Sequence, residues 1–286
     1  MKNILVTGCN GQLGSELRYL TQEGIDGLTF FFTDIEELDI TDEEAVNRFV
    51  NGHEIDCVVN CAAFTAVDLA ESKADFCRTL NETAPAILAK AVAGRKGGMI
   101  QISTDYVFDG TAHIPYREDD TVCPVSVYGI TKLGGERAVA ETCPNSVIIR
   151  TAWLYSSYGK NFVKTMLRLG QEKPELGVVA DQVGTPTYAR DLARAILVIL
   201  SKGLVPGVYH YSNEGVASWY DFTKAIHRLG GVTGCRVKPL HTEEYPTPAT
   251  RPHYSILDKT KIKKTYGVEI PYWEEALAEC IQILEK

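Results

Sequence analysis

Three side chains near the middle of this chain have the types and spacing of a proton-delivery device. Tyr128 and Lys132 stand four residues apart in YGITKLGGER, which places both on one face of a helix. Upstream, the apolar run Met99-Ile100-Gln101-Ile102 reads as a buried strand that ends in the small polar residues Ser103-Thr104-Asp105. A hydroxyl at a strand end, faced by a phenol and an ammonium, can exchange a proton with a carbonyl or alcohol oxygen. The ammonium is expected to favour the charged phenol and to lower its pKa from a free value of about 10. A Tyr-x-x-x-Lys pair alone is a weak signal, and a second match, Tyr220 to Lys224 in WYDFTKAIHRL, reads as ordinary helix surface.

The elements that must hold these residues begin at the N-terminus. Residues 2–7 are a short β-rich run, followed by Gly8-Cys9-Asn10-Gly11-Gln12-Leu13-Gly14 and then a helical pattern, SELRYLTQEG. In such a strand, glycine turn and helix, the first two glycines bring backbone N–H groups against a pyrophosphate. The helix N-terminus adds its positive dipole end, and the third glycine lets helix and strand pack closely. Residues 28–33 read as a second strand ending at Asp34, an acid placed to accept from an adenosine ribose 2′-hydroxyl. No arginine or lysine lies between Asp34 and Arg48, so a 2′-phosphate lacks an evident cation and NAD is favoured. Asp39 is the rival acid, with Ile40 beside it, while Thr41-Asp42-Glu43-Glu44 resembles a capping box for the next helix. Residues 56–63 form the next strand, ending in the small Ala62 and Ala63, and Thr65 and Asp68 follow at the mouth of the same cleft.

The helical region 69–93 contains Asn81 and Pro85, which predicts two segments or a kink. Residues 146–150 are a further buried strand. Strands alternating with helices to residue 150 give an α/β fold with a Rossmann-type, doubly wound parallel sheet. Gly8, Asp34, Ala62, Thr104 and Thr151 then share the edge where ligands bind in such sheets.

Beyond residue 150 the rhythm loosens into helices near 160–169, 188–200 and 218–229, short strands near 176–179 and 207–211, a proline-rich loop at 247–255 and two closing helices. The organisation read from this is a cofactor-binding domain over 1–152, with about 184–204 returning to it, and a smaller C-terminal, mainly substrate-binding lobe over 153–286.

Bulk properties narrow the function. The 29 basic residues against 37 acidic leave a net charge of −8, which argues against nucleic-acid and anionic-membrane surfaces. No apolar run approaches the roughly 20 residues that span a bilayer, and no basic segment with an apolar core precedes the first strand. The expectation is a cytoplasmic chain without a signal peptide. The 8 cysteines include no Cys-x-x-Cys pair and the 6 histidines are scattered, so free thiols and no catalytic metal are expected.

With these residues in view the chain resembles the extended short-chain dehydrogenase/reductase superfamily, and within it the dTDP-4-dehydrorhamnose reductase family. The matching segments are VTGCNGQLG, NCAAFTAVDLAE, STDYVFDG, YGITKLGGE, RTAWLY, DQVGTPTYARDLA and RPHYSILD, which run from one end of the chain to the other. The resemblance implies reduction of the C4 ketone of a dTDP-sugar, with NADH or NADPH as cofactor. It makes Tyr128 the general acid, with Lys132 holding the nicotinamide ribose and Thr104 bonding the carbonyl oxygen. Asp105 would orient the sugar or cap a turn. Tyr106, Thr65, Val67 and Trp153 would line the sugar pocket, and Arg251 would pair with the diphosphate. Asn10, Gly11, Gln12 and Leu13 would cradle the pyrophosphate. Some relatives are magnesium-linked dimers built from acids near the first helix and after DQxGxPT. Ser15 and Arg190 stand in those stretches here, so monomer and homodimer are both open. Two other readings stand beside this one: another nucleotide-sugar epimerase, dehydratase or reductase, and a cofactor-binding regulatory subunit without turnover.

Overall fold

The computed structural model describes residues 2–285. Its centre is a six-stranded parallel sheet, ordered edge to edge Gly207–His210, Ser146–Thr151, Gly98–Thr104, Cys57–Asn60, Lys2–Thr7, Leu28–Thr33. The strands are nearly all apolar because both faces are covered. Ile4 and Val6 face one core with the helices Gln12–Leu20, Ala189–Lys202 and Thr260–Tyr266, through Leu17, Leu192, Ile196 and Ile262. Leu5 points the other way, to a second core with Val46, Leu88, Val92 and Val139 on the helices Glu43–Gly52, Ala84–Gly94 and Val127–Thr142. The alternation along one strand thus builds a three-layer sandwich.

The strand order reverses at Lys2–Thr7, whose neighbours are Leu28–Thr33 on one side and Cys57–Asn60 on the other. A crevice opens beyond the C-terminal ends of strands at such a switch point. A third core, with Val163, Leu176, Phe222, Ile226 and Leu277, joins the helices Phe162–Glu172, Trp219–Leu229 and Trp273–Leu284 to the parallel pair Glu175–Val179 and Arg236–Leu240.

Three local expectations are refined. The kink at 69–93 is a π-helical turn, Thr79–Thr83, between Ala74–Arg78 and Ala84–Gly94. Pro85 follows directly in a helical backbone that continues through Thr83 and Ala84, and its missing N–H interrupts the ladder beside the π-helical turn. The helix expected to start from Thr41 starts one residue later. Asp42 caps it, accepting from Glu44 N at 2.9 Å and Ala45 N at 3.0 Å, while Thr41 bonds Asp39 Oδ1 through its N–H (2.9 Å) and hydroxyl (2.7 Å). Beyond the helix after DQVGTPTY, two more C-terminal elements, Gly207–His210 and Thr260–Tyr266, also pack into the main sheet layer.

Candidate active site

Two adjoining cavities lie along the sheet's C-terminal edge. The first, of about 420 Å³, is bounded by Gly8, Asn10, Gly11, Asp34, Asp39, Ile40, Ala62 and Ala63. The second, of about 530 Å³, contains Gln12, Leu13, Thr65, Val67, Thr104, Asp105, Tyr106, Tyr128, Lys132, Trp153 and Arg251. They share Gly11, Cys61, Ala62 and Ala63 as a common floor. Asp68, read at the cleft mouth, lines neither cavity, and of the residues given a cofactor, substrate or catalytic role from sequence the same holds only for Gly14. A Cβ there would sit 2.4 Å from the Gly8 oxygen and 2.5 Å from Cys9 Cα, so this glycine lets the helix close on the turn and does not touch a ligand.

The first cavity suits the adenosine half of a dinucleotide, whose other half would extend into the second. Gly8 has φ +65°, and a Cβ on it would fall 2.7 Å from the Ala62 backbone, so only glycine lets the turn approach the neighbouring strand end. Gly11 caps the helix Gln12–Leu20 without any side-chain acceptor, which leaves the first-turn N–H groups available to an anion. Asp34 is tied into the rim: its Oδ2 accepts from Asn10 N at 2.9 Å and its Oδ1 from Ile35 N at 2.9 Å. Asp39 spends one oxygen on Thr41 and works first as a turn residue.

Beneath the shared floor runs a buried polar ladder across three strands. Thr7 Oγ1 donates to Asn60 Oδ1 at 2.6 Å, and Asn60 Nδ2 donates to Gln101 Oε1 at 2.8 Å. Gln101 Nε2 then reaches the Ile102 carbonyl at 3.0 Å, the same oxygen that receives Lys132 Nζ at 2.6 Å. Every member is satisfied, so the ladder fixes the position of the ammonium instead of weakening the core. A second buried amide, Asn81 on the π-helical turn, holds the backbone of Phe64 from both sides, at 2.8 Å to its N–H and 3.0 Å to its carbonyl. That pins the segment carrying Thr65.

At the centre, Thr104 ends its strand and caps a short 3₁₀ turn, Asp105–Val107, accepting from Tyr106 N at 3.2 Å. Its hydroxyl donates to Asp105 Oδ1 at 2.9 Å. Tyr128, in the first turn of the helix capped by Ser126, is half-buried with its ring at 78° to that of Tyr106. The expected lowering of the phenol pKa is reversed. Burial pushes Tyr128 well above the usual tyrosine value, opposed by hydrogen bonding from Thr104. Lys132 does not offset that burial: its ammonium is directed at the Ile102 carbonyl, and burial lowers its own pKa to about 8, opposed chiefly by Glu136.

Asp105 is only 2% exposed, and burial raises its pKa to about 6 against the hydrogen bond from Thr104. It stands behind the Thr104 hydroxyl, with Oδ2 unpartnered. Its raised pKa means that the native state holds the proton more tightly than the unfolded chain. This contribution to stability is complete below the unfolded value near 4 and is lost as pH rises through about 6. Asp105→Asn escapes that loss and is expected to gain about 3 kcal/mol on the unaltered protein between pH 4 and 7. Thermal unfolding at both pH values checks this; a constant difference in stability would refute it.

The far wall of the second cavity is unusual. Trp153 has φ +48°, a strained backbone for a bulky residue, and its indole stacks on Trp219 with centroids 3.5 Å apart. Trp219 lines this cavity, although it lies in the stretch read as helix surface. Arg251 comes from the proline-rich loop, donating to Asp68 Oδ2 at 2.7 Å and Tyr106 Oη at 3.4 Å. Arg251 and Trp219 also border a further cavity of about 470 Å³ inside the C-terminal lobe. Sequence reasoning also missed Asn161, which donates to Gln12 Oε1 at 3.0 Å, because a contact spanning 149 positions leaves no local pattern.

A parallel sheet with a glycine turn, an acid at the next strand end and a Thr–Tyr–Lys group on the same edge defines a Rossmann-type nucleotide-cofactor reductase. A family model described as the RmlD substrate binding domain matches residues 1–286. A dTDP-4-dehydrorhamnose reductase of Mycolicibacterium smegmatis is 41% identical over 98% of this chain and 85% of its own. A crystal structure of a dTDP-4-dehydrorhamnose reductase from Clostridium acetobutylicum superposes with TM-score 0.94 at 44% identity, covering 99% of this chain and 100% of that one. Another from Bacillus anthracis, in complex with NADP, gives TM-score 0.93 at 38% identity with both chains fully covered. This chain belongs to the RmlD family.

Proposed function

We infer that this chain reduces the C4 ketone of dTDP-4-dehydro-β-L-rhamnose to dTDP-β-L-rhamnose with NADH or NADPH, the last step of dTDP-L-rhamnose biosynthesis. The observation that carries the reading is the placement of Thr104, Tyr128 and Lys132 together in the second cavity, which adjoins the glycine-turn cavity across Gly11, Cys61, Ala62 and Ala63. The near-full-length relatives that bear this activity in their names support the substrate.

When bound, the reduced nicotinamide supplies the hydride. The chain's residues do the rest. Tyr128 stands protonated at neutral pH, because burial raises its pKa, and hands its proton to the C4 oxygen as negative charge develops there. The Thr104 hydroxyl, oriented by the Tyr106 N–H, turns its single proton from the Asp105 carboxyl to that oxygen and so stabilises the charge developing there. Lys132 holds the nicotinamide ribose from its anchor on the Ile102 carbonyl. Trp153 and Trp219 give the sugar an apolar wall that limits water. Arg251, at the seam with the 470 Å³ cavity, suits a diphosphate whose nucleoside enters the C-terminal lobe.

On this reading residues 1–152 with Ala189–Lys202, Gly207–His210 and Thr260–Tyr266 form the cofactor-binding domain, and most of the remainder forms the substrate lobe. Among the described residues no helix is long and apolar enough to cross a membrane, and all 8 cysteines are free, which supports a cytoplasmic enzyme. Any homodimer would form without a cation bridging Glu16 and Glu279, because Arg190 already engages both, at 2.7 and 3.5 Å.

Purified protein mixed with dTDP-4-dehydro-β-L-rhamnose generated in situ is expected to oxidise NADH or NADPH and to yield dTDP-rhamnose. Tight cofactor binding with no consumption would sink the assignment.

A further inference from the structure

We propose that Arg18 is the cation that receives a cofactor 2′-phosphate, so that this one side chain sets how well the site accepts NADPH beside NADH. The proposal rests on the cofactor reading of the first cavity and adds a residue that the stretch after Asp34 does not contain. That stretch offers no positive charge before Arg48, and Arg48 pairs with Glu44 on its own helix. Folding supplies one from elsewhere. Arg18 lies in the last turn of the helix Gln12–Leu20, is exposed, and turns back over the glycine turn that precedes the helix.

Its guanidinium is placed by two contacts. One nitrogen meets Cys9 Sγ, and the central carbon lies 5.5 Å from the centroid of the Phe32 ring. Neither neighbour lines the first cavity, but both adjoin its rim: Cys9 sits between Gly8 and Asn10, and Phe32 lies on the strand that leads to Asp34. Cys9 N donates to the Thr33 carbonyl at 3.1 Å, and the next residue, Asn10, donates its N–H to Asp34 Oδ2 at 2.9 Å. The guanidinium is therefore anchored one residue from the carboxylate that would accept a ribose 2′-hydroxyl.

Its charge is also unspent. Among the described residues Arg18 makes no ion pair, and its partners are a thiol and an aromatic face. Burial and the nearby Asp34 and Glu37 hold the Cys9 thiol in its neutral form despite the guanidinium. A bare 2′-hydroxyl needs only Asp34. A 2′-phosphate would meet repulsion from Asp34 and from Glu37, whose Oε2 accepts from Asp34 N at 2.8 Å. Arg18 offsets that repulsion with a charge-assisted, forked donor suited to phosphate oxygens. A rim with acids on one side and a free guanidinium on the other takes both cofactors.

The test uses the adenosine halves of the cofactors, ADP-ribose and 2′-phospho-ADP-ribose, titrated calorimetrically into the unaltered chain, Arg18→Ala and Arg18→Lys. The ratio of the two affinities is the readout. Arg18→Ala is expected to lower the preference for the phosphorylated fragment about 10- to 100-fold, and Arg18→Lys to restore part of it. The NADPH-to-NADH ratio of kcat/KM should move the same way. Equal weakening of both fragments, or an unmoved ratio, would overturn the proposal while leaving the cofactor reading in place. Failure of either fragment to bind the unaltered chain would overturn both.

Discussion

Tyr128→Phe is expected to lower kcat for ketone reduction by about 10²- to 10⁴-fold, the usual contribution of a positioned general acid, while cofactor affinity changes little. The substitution removes one oxygen from a ring that keeps its packing, edge to face against Tyr106 at a centroid distance of 5.5 Å. The direction of the phenol's pKa shift adds a second outcome. Because burial raises it, Tyr128 stays loaded with its proton across the neutral range, so its own titration should not limit reduction there. Above neutral pH, with Asp105 already titrated near 6, the next of these groups to change charge is Lys132, whose pKa lies near 8. The alkaline limb of the kcat/KM profile should therefore report the lysine. A limb that persists unaltered in Lys132→Met, assayed on its residual rate, would assign it to another group. A Tyr128→Phe enzyme that retained most of its turnover would remove the tyrosine from the proton path altogether.

The fold was legible because its signals are local. An uninterrupted apolar run such as Cys57–Asn60, followed by small residues, can hardly be anything but a buried parallel strand. The glycine turn announces itself by spacing, and the Tyr-x-x-x-Lys helix by spacing together with the Ser-Thr-Asp strand end upstream; both border the cleft. What stayed hidden is contributed across long sequence separations. Arg18 falls within a helix with nothing in its neighbours to mark it, and only the turn over Cys9 gives it a place. Trp219 opens a helix whose pattern is amphipathic and ordinary, yet the stacking on Trp153 makes it part of the second cavity's wall. The direction of the Tyr128 shift was misread for the same reason. The spacing gives Lys132 a common face with the phenol, but the hydrogen bond to Ile102, 30 residues away in sequence, directs the ammonium to a carbonyl.

Glu136→Gln should cost both stability and chemistry, by separable routes. Glu136 lies one turn beyond Lys132 on the same helix and is 4% exposed; its two oxygens accept from Arg150 Nε at 2.9 Å and Nη2 at 2.8 Å. Arg150 is itself 4% exposed, with its guanidinium 5.2 Å from the Phe108 ring centroid. Removing the carboxylate charge leaves a buried guanidinium without compensation, which typically costs about 3–5 kcal/mol. For a chain of this size the fall in Tm is on the order of 10 °C. Glu136 is also the leading opponent of the burial that lowers the Lys132 pKa, so its loss should move the alkaline limb of the activity profile to lower pH. The paired variant Glu136→Leu with Arg150→Met separates the two effects. An apolar pair of similar volume removes the uncompensated charge and should recover most of the lost stability. It cannot return the negative charge beside Lys132, so the alkaline limb should stay displaced. If the limb returned along with Tm, the carboxylate would be acting only through packing, and the ammonium would owe its charge to the Ile102 carbonyl alone.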